Sequence, residues 1–205
     1  MNDRIRRWDE RFARGEELHG HAPSPPLPAA VEGVAPGLAL DLACGAGRHA
    51  VFLAQRGWRV HAIDGSREGL NRLSRLARER SVESMIEPHI ADLEAPDFAL
   101  VERPGLEAGG RWLETGGFDL ICDFYFLHRP LFEQIHQALR PGGRFVAAIH
   151  VRTSPDEAGH FLLEPGELRE LAASWGWEIL HAREGAAAES DHKHGTAELI
   201  ARRPL

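Results

Sequence analysis

The chain predicts a doubly wound α/β sheet, mostly parallel, with an antiparallel strand near one edge. Three observations carry that expectation. From residue 38 onward, five apolar strand-like runs alternate with helical i, i+3, i+4 patterns. Two more strand-like runs, 177–184 and 196–202, follow with no helical pattern between them, so they pair antiparallel through the 185–195 loop. The chemically notable residues fall at the carboxyl ends of the runs, where open α/β sheets bind ligands.

Residues 2–18 are charged, with Ile5, Trp8, Phe12 and Leu18 at roughly helical spacing. Residues 19–37 carry Pro23, Pro25, Pro26, Pro28 and Pro36 and read as a loop or extended lead-in. The segment 1–36 thus stands ahead of a single domain over 37–205. The first strand runs from 38 into Gly45 and Gly47, and Ala50, Leu53 and Ala54 begin the helix that follows, with Gly57 at its C′ position. Residues 58–63 form a second strand ending at Asp64. Ser66 then caps a helix whose buried face is Leu70, Leu73, Leu76 and Ala77.

Residues 85–90 form a third, short strand ending before Asp92. The stretch 94–117, with Pro96, Pro104 and five glycines, reads as loop-rich. Residues 118–126 are apolar nearly throughout, as a central strand covered on both faces should be. Leu131, Ile135, Ala138 and Leu139 mark a helix closed by Pro141-Gly142-Gly143, and 144–151 is the fifth strand. Pro165 is the expected first residue of a last helix with Leu168, Leu171, Ala172 and Trp175 buried, ended by Gly176.

At 205 residues the chain is long enough for one substantial core. Hydrophobic residues at 43% and charged ones at 27% mark a globular chain rather than a disordered one. The 24 basic against 31 acidic residues give −7, which argues against a broad nucleic-acid face. No signal-peptide core and no apolar run of about 18 residues occurs, so no membrane partner is expected. Cys44 and Cys122, the two cysteines, lie in strand-like runs and read as reduced and buried, which suits a cytoplasmic protein. No pattern speaks to oligomeric state.

The glycine turn and the acids around it define a ligand. Gly45 and Gly47 let a ligand approach the backbone and permit positive φ. Gly45 to Ala50 also satisfies the dinucleotide pattern, with alanine in its third glycine slot, and Asp64 lies 19 residues past Gly45 where a ribose-binding acid belongs. Asp41 and Asp92 separate the readings. Asp41 sits badly beside a pyrophosphate but suits an ammonium or sulfonium. Asp92 is placed to accept from an adenine amino group, with the Leu93 N–H completing the base edge. Together the three acids favour S-adenosylmethionine over a nicotinamide dinucleotide.

The motifs LALDLACGAGRHA, VHAIDGS, IADLEAP and FDLICDFYFLHRPLFEQIHQALRPGGRFV, in that order and spacing, resemble the class I S-adenosylmethionine-dependent methyltransferases from about residue 37 to the end. The resemblance implies a Rossmann-like seven-stranded sheet whose last strand inserts antiparallel between the fifth and sixth. The opening Trp8-Asp9-Glu10-Arg11-Phe12 and the compact size are similar to the small-molecule branch near tellurite-resistance and thiopurine methyltransferases. Ala43 stands where the family has glycine. The expected cofactor-binding set is Asp41, Ala43, Gly45, Gly47, Asp64, Gly65, Asp92, Leu93 and Asp123.

The expected activity is methyl transfer to a small-molecule acceptor by in-line displacement. A non-catalytic S-adenosylmethionine-binding protein is the alternative, and a nicotinamide-dependent reductase a lesser one. Asp123-Phe124-Tyr125-Phe126 replaces the Asn/Asp-Pro-Pro-Tyr/Phe tetrapeptide of nucleobase and glutamine amino methylation, which weakens those substrates. Tyr125, His128 and His150 are the candidates for shaping the acceptor pocket or moving a proton. Trp8 and Arg11 fit either a lid over the cofactor or a surface helix packing Trp8 and Phe12. His19-Gly20-His21 and His192-Lys193-His194 read as solvated loops, and no metal site is expected.

Overall fold

The computed structural model describes residues 2–16, 20, 22–100, 117–154, 159, 161–185 and 194–205. Seven strands form one sheet: β1 (Leu38–Leu42), β2 (Arg59–Asp64), β3 (Ile86–Ile90), β4 (Phe118–Phe124), β5 (Leu139–Val151), β6 (Glu178–Gly185) and β7 (Gly195–Arg202). Their order is β3-β2-β1-β4-β5-β7-β6. The first five run parallel, and β7 lies antiparallel between β5 and β6. This is the insertion expected from the resemblance.

Among the described residues, six α-helices flank the sheet, with one 3-10 turn at Glu83–Met85: α1 (Asp3–Ala13), α2 (Pro26–Val31), α3 (Arg48–Ala54), α4 (Arg67–Glu79), α5 (Pro130–Ala138) and α6 (Glu167–Ser174). Leu27 and Ala30 of α2, residues 50–54 of α3, and Leu70 and Leu73 of α4 bury one face of the sheet. Leu131 and Ile135 of α5 and Leu168 and Ala172 of α6 bury the other. The central strands are therefore apolar on both sides, which explains the near-continuous run in β4. Both cysteines are free and buried, as expected. Ser66 caps α4 by accepting from the Gly69 amide at 3.0 Å, also as expected.

Four boundaries differ from the sequence expectation. The proline-rich lead-in contains α2, because its prolines fall at the first helical positions, where an N–H would have no intrahelical acceptor anyway. The fourth strand stops at Phe124, because Tyr125 turns the chain with φ +62°. The fifth begins at Leu139 rather than 144. Pro141-Gly142-Gly143 is absorbed by an irregularity in register between Phe118 and Leu120 of β4 and Leu139 and Arg144 of β5. The last helix starts at Glu167, with Gly166 at φ +83° rather than Pro165 as its lead residue.

Asp119 lies at the amino end of β4, away from the ligand-binding edge. It accepts from the Leu38 amide at 2.7 Å and pairs with Arg140, tying β1 to β4 and β5. Leu18, His19, His21, His192, Lys193, most of 94–117 and most of the 185–195 loop lie outside the described residues. Among the described residues, no helix is long and apolar enough to cross a membrane.

Candidate active site

A cavity of about 490 Å³ opens at the carboxyl ends of β1, β2 and β4, where the winding of the sheet reverses. Residues 43–47 form its floor; Asp64, Gly65, residues 92–94 and residues 124–126 form its sides. Arg4, Ile5, Trp8 and Phe12 of α1 cover it.

The floor is a strained turn. Ala43, Gly45 and Gly47 have φ of +51°, +54° and +83°. A Cβ on Gly47 would stand 2.4 Å from Leu73 Cγ, so both conformation and space demand glycine there. Ala43 adopts the left-handed region at a cost of about 1–2 kcal/mol, which accounts for the glycine of the resembling family at that position.

Three amides of this turn are already committed. Cys44 N–H donates to the Ile63 carbonyl at 3.0 Å, Gly45 N–H to Asp64 Oδ2 at 2.8 Å, and Gly47 N–H to the Cys44 carbonyl at 2.9 Å. Asp64 Oδ1 accepts from the Ser66 amide at 2.7 Å, so its carboxylate is pinned at the cavity edge by two backbone donors. Burial raises its pKa against the pull of those two amides.

Asp41 lies beneath the floor, 1% exposed; the Ala50 amide approaches its carboxylate, but neither oxygen receives a hydrogen bond of full geometry. Burial pushes its pKa up to about 7; the Ala50 amide and Arg48 offset part of this, and the Asp64 charge adds to it. Asp123, also 1% exposed, sits on the neighbouring strand. Its Oδ1 has no partner, and burial and then the Asp41 charge hold its pKa well above the carboxylate range. The register sets Asp41 opposite Cys122 and Asp123 opposite Leu42, so the two buried acids face opposite sides of the sheet, each with an unmet acceptor that suits a cationic group nearby.

Asp92 lines the cavity, with Oδ1 accepting from the Glu94 amide at 3.0 Å; buried Leu93 lines it beside Asp92. Gly65 does too, and a Cβ there would meet Ile5 Cδ1 at 2.5 Å. Tyr125 is the one catalytic candidate among the lining residues. Its amide donates to the Ala148 carbonyl at 2.8 Å, and its ring lies 5.2 Å from that of His150. A bulky residue at positive φ is strained, and such strain concentrates at functional sites. His150 stands behind Tyr125. His128 stands at the start of α5, where its carbonyl accepts from the Leu131 amide at 2.9 Å.

Several contributors escaped the sequence reading. Asp9 of α1 accepts from Ser66 Oγ at 2.7 Å and from the Glu68 amide at 2.9 Å, docking α1 on the start of α4. Glu94 accepts from Asn2 at 3.0 Å and Arg4 at 2.8 Å, and the Arg4 guanidinium covers the Phe126 and Phe161 rings. His49 is buried and stacks on Phe124 at 4.0 Å, with Nε2 3.2 Å from both Ser24 N and Ser24 Oγ. These partners are 25 to 157 residues apart in sequence, so no local pattern announces them.

Fold and cleft define an α/β protein of the Rossmann-like kind with its cavity at the switch point of the sheet. The chain matches the family described as "Methyltransferase domain" over residues 40–145 and belongs to it, within the class I S-adenosylmethionine-dependent methyltransferases. Among solved structures, TehB from Haemophilus influenzae is similar with a TM-score of 0.68 at 19% identity, covering 96% of this chain and 67% of that one. The 1,6-didemethyltoxoflavin-N1-methyltransferase of Burkholderia thailandensis, with 1,6-didemethyltoxoflavin and S-adenosylhomocysteine bound, gives 0.67 at 17% identity, covering 98% and 87%. The [4+2]-cyclase SpnF also gives 0.67 at 17%, covering 98% and 93%. At such identities the likeness is one of fold. No curated protein sequence matches this chain.

Proposed function

We propose that this protein moves a methyl group from S-adenosylmethionine to a small-molecule acceptor held in the 490 Å³ cavity under α1. One observation carries the choice of ligand. The Gly45 and Gly47 amides that would cradle a diphosphate are spent on Asp64 and Cys44, directly above an acid with unmet acceptors. A cationic amino-acid tail fits that floor; a diphosphate does not.

When bound, S-adenosylmethionine supplies an electrophilic methyl on a sulfonium. The chain supplies placement. Asp64, with both oxygens already oriented by amides, presents its remaining lone pairs to vicinal ribose hydroxyls. Asp92 and the Leu93 amide border the base, and Gly65 keeps that side open. Asp41 favours the ammonium from below, through the turn or a water, and Asp123 adds its charge from the other face of the sheet. Tyr125 borders the acceptor space. His150 stands beside Tyr125 and would reach an acceptor proton through it or a water, whereas His128, at the start of α5, would act only through a water. Alignment of this kind is worth about 7–11 kcal/mol, against roughly 10²–10⁴-fold for a general base.

The segment 1–36 serves as lid and brace. α1 screens the cleft from water, and the residues before α2 brace the glycine turn through Arg48 and His49. Calorimetric titration with S-adenosylhomocysteine tests the cofactor reading: one site per chain, affinity falling at least about tenfold in Asp64→Ala, and no heat with NADH. Unchanged affinity in Asp64→Ala refutes the assignment. Labelled methyl from S-adenosylmethionine, incubated with cell extract, should enter the small-molecule fraction rather than protein or nucleic acid.

A further inference from the structure

His61 on β2 and Glu87 and His89 on edge strand β3 lie outside the cleft. In the parallel register His61 stands opposite Glu87 and Ile63 opposite His89. The period of two therefore puts all three side chains on one face of the sheet. His61 Nδ1 lies 2.9 Å from His89 Nε2. Glu87 reaches to 3.7 Å from the first nitrogen with Oε2 and 3.6 Å from the second with Oε1. The two rings are nearly parallel, 5° apart in plane, and the Phe118 ring packs edge-on against His61 at 5.9 Å.

The carboxylate is the informative member. At 3.6–3.7 Å it is too far to accept a hydrogen bond from either ring, yet it closes a triangle around both nitrogens. Bonds of about 2.0–2.1 Å at tetrahedral angles separate ligand atoms by about 3.4 Å. The ring nitrogens stand 2.9 Å apart, each is 3.6–3.7 Å from its nearer Glu87 oxygen, and one ligand atom from each residue lies within 4.8 Å of the other two, so modest side-chain rotation brings three donors to that spacing. The imidazoles are mostly shielded, with side chains 19% and 16% exposed, whereas Glu87 is 66% exposed and leaves a way in from solvent.

We propose that His61, Glu87 and His89 form a divalent transition-metal site, zinc being the best match, which fastens the edge strand β3 to β2. Two imidazoles and one carboxylate are a three-ligand zinc set with a fourth position left for water. Loading needs no net proton release. One ring nitrogen carries the proton of the His61–His89 hydrogen bond; that ring changes tautomer, its proton passing to the other ring nitrogen through solvent, and the freed lone pair takes the metal. The site escapes sequence reading because its histidines are 28 residues apart and meet only through the β2–β3 register. Nothing in this inference depends on methyl transfer.

Titration of the metal-free full-length protein with Zn²⁺ against a chromophoric chelator tests it. One submicromolar site per chain is expected, weakened more than about tenfold in Glu87→Gln and lost in His89→Ala. Co²⁺ should give an intense visible absorption that disappears in His89→Ala. Zinc at about 100-fold over its Kd should raise Tm by about 5–10 °C in the native sequence only. Glu87→Gln keeps the test decisive if His89→Ala fails to fold, since its side chain is largely exposed. Absence of a stoichiometric site, or equal affinity in all variants, overturns the proposal.

Discussion

Asp41 is an acid on an otherwise apolar central strand, and its titration gives the cleft a pH dependence. Its pKa is raised from 3.8 to about 7 by burial. The folded, ligand-free chain therefore keeps a proton that the unfolded chain loses between about pH 4 and pH 7. Stability from this group is complete below pH 4 and declines as pH rises to 7, by up to about 4 kcal/mol at 1.36 kcal/mol per unit. An ammonium overhead favours the charged form and reverses the preference. Affinity for S-adenosylhomocysteine should then rise between about pH 5.5 and pH 8. Asp41→Asn should bind more weakly at the upper end with a flatter calorimetric profile; an unchanged slope removes Asp41 from the role. Ala43→Gly tests the strain beside it. Relief of about 1–2 kcal/mol, less the glycine entropy of about 0.5–1 kcal/mol, predicts net stabilisation by about 0.5–1 kcal/mol in urea unfolding. The placement of Asp41, Asp64 and Asp92 was legible because strand ends and glycine turns are local signals. That no hydrogen bond of full geometry reaches Asp41 was not, since it depends on what both neighbouring strands and α3 bring.

Among the elements, α1 shows the same division. Its apolar spacing announced a helix, but not that Phe12 would stand over Gly45 or that Asp9 would cap α4. The Glu68 amide and then the Ser66 hydroxyl hold the Asp9 pKa below its ordinary value, so the dock is intact at neutral pH and released only as pH falls through the acid range. Asp9→Asn should expose α1 to trypsin several-fold faster and raise KM for S-adenosylmethionine. Global stability should fall by only about 1 kcal/mol, the net worth of such a hydrogen bond. Equal proteolysis rates would show that Asp9 does not hold the lid. α2 was illegible for a different reason: five prolines outweigh two helix-compatible positions in any composition count, yet Pro26 and Pro28 occupy the one turn that tolerates them. Pro141-Gly142-Gly143 likewise reads as punctuation, and only pairing with β4 reveals that β5 passes through it.

At the scale of the molecule, the sheet order places every proposed cofactor contact on one half. The ends of β1, β2 and β4, the turn after β3, and α1 converge on the cleft, while β7 and β6 close the far edge. The same fold carries a [4+2]-cyclase, so architecture alone does not specify the reaction. It does specify how binding should spread. A ligand that bridges these elements joins their local openings, whereas the antiparallel pair β6–β7 opens on its own. Hydrogen exchange with S-adenosylhomocysteine should thus slow residues 43–49, 64–69 and 91–95 together with α1, and leave β6 and β7 at their unliganded rates. Tm should rise by about 5–10 °C at 100-fold over Kd. Protection confined to β5–β7, or an equal response to NADH, would place the ligand elsewhere and separate this chain's site from the one its winding predicts.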